Sequence, residues 1–227
     1  MTKLLITKSN LRDAELQAFS HLDLDLISKS FIDFEAVDFS VPNSEHINWI
    51  FFSSPRAFDF FRAKVGEEYI KEKKIACVGR KTAEHISKEG IPVQFTGQKS
   101  GDIPTVARAL RDLVKREGIL FPISNLSNQS MQKELLPDQC NNIIVYRTII
   151  IPEKIKENPD LIVFTSPSNV NGYLAKNAIL PQQKLIAWGS TTKEHLKNTG
   201  YNCSSQLEES SIESLIHLLE TDKSLLA

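Results

Sequence analysis

The chain has 227 residues, 41% hydrophobic and 24% charged, with a formal net charge of −1, which allows one large domain or two small ones. A balance this near neutral excludes nucleic acid and anionic membrane as principal partners, since both call for a basic field. Its three widely spaced cysteines, Cys77, Cys140 and Cys203, form neither a disulfide framework nor a metal motif and point to a reducing compartment.

Met1-Thr2-Lys3 runs directly into a strand, Leu4-Leu5-Ile6-Thr7, without a signal-peptide apolar region. No apolar run is long enough to span a bilayer, so a cytoplasmic protein is expected. Lys8-Ser9-Asn10 reads as a turn capping a helix from Leu11 to Phe19, with Glu15 a polar residue on its apolar stripe. Leu24–Ile27 and Phe31–Phe34 read as extended segments. Residues 35 to 46, including Pro42-Asn43-Ser44, read as a connection with room for a short helix.

Trp49-Ile50-Phe51-Phe52 is a fully apolar run, as expected of a parallel strand buried on both faces. It stops at Ser53-Ser54-Pro55-Arg56, where Ser54 as N-cap and Pro55 at the first helical position start a helix bearing Phe58 and Phe61 on one face. Lys74–Val78 with Gly79-Arg80-Lys81-Thr82 is the next strand and turn. Its helix runs to Lys88 and stops at Gly90. Val93-Gln94-Phe95 is a short strand, and Ser100-Gly101-Asp102 opens a helix that ends near Gly118.

The pattern then restarts. Ile119-Leu120-Phe121-Pro122 with Ser124-Asn125 resembles the opening strand and turn, and Ile143–Tyr146 is a further strand before a connection ending at Pro152. Leu161-Ile162-Val163-Phe164-Thr165-Ser166-Pro167-Ser168 repeats the earlier hydroxyl turn at a spacing of 112 (166 − 54). Gly189-Ser190-Thr191-Thr192 repeats the Gly79 turn at 110 (189 − 79), and His195 and Gly200 repeat His85 and Gly90 at that same spacing. Ser210-Ser211-Ile212-Glu213 has the pattern of a capping box before a last helix carrying Leu215, Leu218 and Leu219. Alternating strands and helices in two copies imply an α/β protein of two small doubly wound parallel sheets, facing across a cleft.

Several chemistries lack their residues. The histidines His21, His46, His85, His195 and His217 show no i, i+4 pairing, so no metal site is expected. No GxGxxG follows a strand, no P-loop is present, and neither Ser54 nor Ser166 lies in a GxSxG elbow. What remains is a series of strand-to-helix turns rich in neutral donors: Ser53 and Ser54, Lys81 and Thr82, Thr165 and Ser166, Thr191 and Thr192. Helix N-termini and hydroxyls at the carboxyl edge of a parallel sheet suit an anionic ligand, and Arg56, Arg80 and Arg147 could add charge-assisted bonds.

Phe52–Ala57, Val78–Ala83, Val145-Tyr146-Arg147-Thr148, Phe164–Ser168 and Gly189–Thr192, in this order, resemble the uroporphyrinogen-III synthase family over nearly the whole chain. The resemblance implies two flavodoxin-like domains joined by a two-stranded connector, domain one at 1–35 and 151–227 and domain two at 39–146. Consecutive halves split near Gly118 are equally compatible with the sequence alone. It implies closure of the linear tetrapyrrole hydroxymethylbilane to uroporphyrinogen III with inversion of the last ring, without metal or cofactor and with a monomer as the expected state. The family's tyrosine falls on Tyr146, its turn threonines on Thr82 and Thr192, and its turn serines on Ser54 and Ser166. Ser53, Arg56, Ser168 and Thr191 complete the expected substrate-binding set. Lys193 and the pair Ser124-Asn125 depart from the family pattern, the latter standing where many members carry arginines.

In that reaction the pyrrole nitrogen's lone pair expels hydroxide, so modest acid assistance from Tyr146 suffices. The larger task is conformational: to hold the chain so that attack at a substituted carbon, through a spiro intermediate, precedes attack at the free position. The alternative is a cytoplasmic, non-enzymatic two-domain binding module for a polycarboxylate or other small anion, which explains a cleft but not Tyr146. A dual flavodoxin-like redox protein would want a phosphate loop richer in Ser, Thr and Gly than Thr7-Lys8-Ser9-Asn10.

Overall fold

A computed structural model describes residues 1–42, 45–98 and 102–226. The chain begins with β1 (Thr2–Ile6), α1 (Asp13–Ala18), β2 (Leu24–Ser28) and β3 (Ile32–Ala36). It continues through β4 (Ile47–Phe52), α2 (Pro55–Lys71), β5 (Lys74–Cys77), α3 (Arg80–Lys88), β6 (Phe95–Thr96) and α4 (Ile103–Val114). From β7 (Gly118–Ser124) the chain passes through two short 3-10 turns, Gln132–Glu134 and Pro137–Gln139, into β8 (Cys140–Ile150). The remainder is β9 (Leu161–Phe164), α5 (Pro167–Leu174), β10 (Lys184–Ala187), α6 (Ser190–Asn198), β11 (Ser205–Gln206) and α7 (Ile212–Thr221).

Met1–Asp33 with Ile149–Ala227 form one compact unit and Phe34–Thr148 the other. The sheet of the first unit has the order β2-β1-β9-β10-β11, with parallel pairing throughout. Numbered by appearance within the unit, this is the flavodoxin-like order 2-1-3-4-5. The sheet of the second unit runs β8-β7-β4-β5-β6, again parallel, with β3 added beside β8. It is the same arrangement entered at its third strand. The first sheet thus takes two strands from the first sequence repeat and three from the second, and the second sheet takes two from the second repeat and, counting β3, four from the first. A division at Gly118 is not what the pairing shows, because Gly118 opens a strand central to the second sheet.

The apolar strands are buried on both faces, as parallel strands covered by helices must be. Trp49 and Phe51 pack with Val106, Leu110 and Phe121 on one side of the second sheet, and Ile50 and Phe52 with Phe58, Phe61 and Ile86 on the other. In the first sheet Leu161 and Val163 pack against Leu215 and Leu219, whereas Ile162 and Phe164 pack against Val170 and Tyr173. Each fully buried Leu, Ile or Phe contributes about 1.5–3 kcal/mol relative to exposure, so these four layers carry most of the stabilisation.

Several local expectations are corrected. Helix α1 starts two residues later than the expected Leu11, because Asn10 takes a left-handed φ of 57° and Arg12 becomes the cap. Glu15 is buried on that helix and accepts from Lys8 Nζ at 2.7 Å and from the Arg12 amide at 2.9 Å. The segment 37–42 and 45–46 holds no helix, and the expected Asn43-Ser44 turn lies outside the described residues. So do Ser100 and Gly101 of the expected helix start; Asp102 caps α4 by accepting from the Thr105 amide at 3.2 Å. That helix ends at Val114, with Lys115 at φ 54°, before the expected Gly118. The strand expected at 93–95 is only Phe95–Thr96, and α2 is broken at Gly66, with φ 78°. The last helix has no capping box: Ser211 is its N-cap, accepting from the Ser214 amide at 3.1 Å, and Ser210 instead donates to the Trp188 carbonyl at 3.0 Å.

Candidate active site

In a doubly wound sheet the strand order reverses at one place, and the turns on either side of it diverge and leave a crevice at the carboxyl edge. In the second unit that place lies between β7 and β4. Pairing of β7 with β4 is recorded as far as Leu120–Ile50, whereas pairing with β8 continues to Ser124. Pro122 has no N–H with which to extend the ladder toward β4. The two strands part, and a cleft of about 480 Å³ opens between them.

Its floor is apolar, made by Phe51, Phe121, Ile123 and Met131, and its walls are polar. Ser53 and Ser54 come from the turn after β4. Ser54 caps α2, its hydroxyl accepting from the Ala57 amide at 3.2 Å. Gly79, Arg80, Lys81 and Thr82 come from the turn after β5. Gly79 is the N-cap of α3 and has no side chain to occupy the first-turn amides. Thr82 is 4% exposed, and its hydroxyl has no partner among the described residues. The Arg80 guanidinium is engaged by Glu84 at 2.6 Å, but Lys81 has no acidic partner among the described residues. Such a cleft accepts a flat apolar ring on its floor and carboxylates on its walls.

The opposite wall was not legible in the sequence. Ser127, Asn128, Ser130 and Gln132 line the cleft from the segment after β7, where the first unit has a helix and this one has 3-10 turns. The available signal was negative: no helical apolar period follows Ser124.

The equivalent place in the first unit, between β1 and β9, is closed by hydrogen bonds. The Thr165 amide donates to Thr7 Oγ1 at 2.9 Å and the Thr165 hydroxyl to the Thr7 carbonyl at 2.6 Å. Thr7 Oγ1 also lies 3.1 Å from the Val163 carbonyl, and Thr7 is fully buried. Asn169 Nδ2 donates to both Thr165 Oγ1 and Ser166 Oγ at 3.2 Å. Ser166 caps α5, Ser168 follows in its first turn, and Thr191 and Thr192 lie in the first turn of α6. Thr191 is exposed, and Thr192 is 4% exposed like its repeat-mate Thr82.

Tyr146 does not line the cleft. A register shift in the β7–β8 ladder, from Ile123–Ile144 to Ser124–Tyr146, passes over Val145 and turns Tyr146 into the layer of Phe52, Phe58 and Phe61. The ring is 8% exposed, stacked on Phe60 with centroids 5.2 Å apart, and its hydroxyl has no partner among the described residues. Arg56 is exposed over the ring of Phe34, and Arg147 is exposed. Of the expected residues, the cleft therefore brings together Ser53, Ser54 and Thr82.

Among the described residues no three His, Cys, Asp or Glu side chains are placed to hold a metal ion, and no helix is long and apolar enough to cross a membrane. His85 bonds Asp59 at 2.6 Å and His195 bonds Asn171 at 2.7 Å, each joining consecutive helices in the same repeat position.

Comparison with known proteins agrees with this architecture. The chain is similar to the uroporphyrinogen-III synthetase of Helicobacter pylori 26695, with 16% identity, 97% of this chain and 99% of that chain covered, and a TM-score of 0.74. It is also similar to a mutant uroporphyrinogen III synthase of the extremely thermophilic bacterium Thermus thermophilus, with 14% identity, 100% and 99% coverage, and a TM-score of 0.59. At these identities the structures establish the shared fold. The family model described as uroporphyrinogen-III synthase HemD matches residues 17–217, most of the sequence. The chain therefore belongs to the uroporphyrinogen-III synthase family, enzymes of tetrapyrrole biosynthesis.

Proposed function

We propose that this chain closes hydroxymethylbilane to uroporphyrinogen III, acting as a cytoplasmic monomer whose two units are the domains of the enzyme. The observation that carries the reading is the cleft of the second unit, with an aromatic floor under walls of hydroxyls, helix amides and Lys81. A pyrrole bearing carboxylate side chains has that shape and polarity: a flat ring edged with anions. Each helix terminus favours an anion by about 0.3–1 kcal/mol, so grip comes from many weak donors. Ser53, Ser54 and Thr82 act in this cleft, and Ser166, Ser168, Thr191 and Thr192 serve the substrate's other carboxylates.

Tyr146 is the general acid. Its proton passes to the departing hydroxyl, which leaves as water, while the pyrrole nitrogen's lone pair forms the protonated azafulvene and Tyr146 is left as the tyrosinate. Attack by a substituted ring carbon then gives the spiro intermediate. The hydroxyl's freedom from any internal partner among the described residues supports this role, because its proton is not committed elsewhere. The test is the rate of isomer III formation by Tyr146→Phe against the unsubstituted chain at matched thermal stability. A loss of about 10²-fold is expected, the low end for general acid help because the leaving group departs readily. Rates within twofold would remove Tyr146 from the mechanism.

A further inference from the structure

Arg56 and Phe60 lie four residues apart on α2 and so project from the same face of that helix. The Arg56 guanidinium carbon stands 3.4 Å from the centroid of the Phe34 ring, on β3. Phe60 stacks on Tyr146 with an interplanar angle of 15°. Phe34 closes the circuit by meeting Tyr146 edge-on, with centroids 5.9 Å apart at 71°. The phenol of Tyr146 is thus held on one face by a ring fixed to α2 and at another side by a ring that Arg56 covers. Arg56 itself is exposed and has no carboxylate partner among the described residues, so its closest engagement is with Phe34.

We propose that Arg56 is a positioning residue for Tyr146, acting through Phe34; this rests on Tyr146 being the proton donor. A phenolic O–H lies near the plane of its ring, so the ring's orientation decides where the proton points. A general acid must present that proton within hydrogen-bond reach of the departing oxygen. Phe60 sets the plane of the Tyr146 ring, and Phe34 limits its tilt. The planar guanidinium holds Phe34 in place by stacking on it, which the compact ammonium of lysine does not reproduce.

The experiment measures kcat and KM for isomer III formation with Arg56→Lys and Arg56→Met, each alone and combined with Tyr146→Phe. Tyr146 ring signals, assigned by their loss in Tyr146→Phe, are recorded in the same proteins by NMR. Arg56 is exposed, so both variants should fold, and Phe34→Leu at matched stability serves as the second route to the same displacement. Both Arg56 variants and Phe34→Leu are expected to lower kcat by ~3–10-fold, with KM changed less than about twofold, because misplacing a reacting group costs rate more than binding. The ring signals should move in all three, and no further loss of kcat should follow in the Tyr146→Phe background. Restoration of full kcat by lysine, with methionine raising KM instead, would overturn the proposal and make Arg56 a charge anchor only. Tyr146→Phe within twofold of the unsubstituted chain would overturn the acid role itself, and the positioning role with it.

Discussion

Gly172, inside α5, gives a test in which two effects of opposite sign can be weighed. A methyl group there would lie 2.4 Å from the Phe31 carbonyl oxygen and 2.7 Å from Phe31 Cβ. Alanine in place of glycine gains about 1 kcal/mol in helix propensity. Against that, a carbon–oxygen contact settles near ~3.3 Å, so α5 and the bend at Phe31 must separate by about 1 Å. Phe31 has no slack for this. It is fully buried, its amide donates to Asn169 Oδ1 at 2.8 Å, its carbonyl accepts from the Ile151 amide at 2.9 Å, and its ring meets Tyr173 edge-on at 5.3 Å. Overpacking costs about 1–3 kcal/mol, and each weakened buried hydrogen bond adds about 1 kcal/mol. Crowding outweighs propensity, and Gly172→Ala should destabilise its unit by about 2–3 kcal/mol, which lowers Tm by roughly 5–10 °C in a chain of this size. Urea unfolding followed by Trp188 emission, in a Trp49→Phe background, reads that unit alone. A midpoint equal to or above that of the parent would refute the reasoning.

Glu15 predicts an acid-dependent loss. Burial opposes its charge, yet the hydrogen bonds from Lys8 and from the Arg12 amide and side chain hold its pKa down at about 2, below the ordinary 4.5. A folded-state pKa below the unfolded one stabilises fully above about pH 5 and is lost as pH falls toward 2. Because Lys8 and Arg12 are partly solvated, Glu15→Gln should cost only about 1–2 kcal/mol at pH 7 and nothing near pH 2, as measured by unfolding at both. Ser54→Ala should lower both stability, by about 1 kcal/mol for the lost cap, and activity, whereas Thr82→Val should lower activity alone; equal melting losses in the two would contradict this. Cys77 is buried, which pushes its thiol up to about 12, so native-state alkylation at pH 8 should label it last of the three cysteines.

The strands and the hydroxyl turns were legible because their causes are local. Four apolar residues followed by Ser-Pro leave few alternatives at Trp49–Pro55 and Leu161–Pro167, and Gly90 and Gly200 mark helix ends through left-handed φ values of 75° and 90°. The course of the chain between units was not written in either repeat, since pairing β7 with β4, or β1 with β9, depends on contacts more than 60 or 150 residues apart. Glu15 shows the limit of reading periodicity: a carboxylate on an apolar stripe is explained only by Lys8 and Arg12 folding onto it. The cleft was half legible. Ser53, Ser54 and Thr82 announce themselves as turn residues, while the wall of Ser127 to Gln132 comes from a segment without any helical apolar period. The closure of the matching crevice by Thr7, Thr165 and Asn169 could not be foreseen, because identical hydroxyls serve as open donors in one unit and as internal ties in the other.

The most direct test of the account is the product itself. The purified chain, incubated with freshly generated hydroxymethylbilane, should yield uroporphyrinogen III in excess over the isomer I that forms by unaided closure. Separation of the two isomers after oxidation measures this in one run. Isomer I alone, at the uncatalysed rate, would contradict the assignment and leave the cleft as a binding site for some other anion.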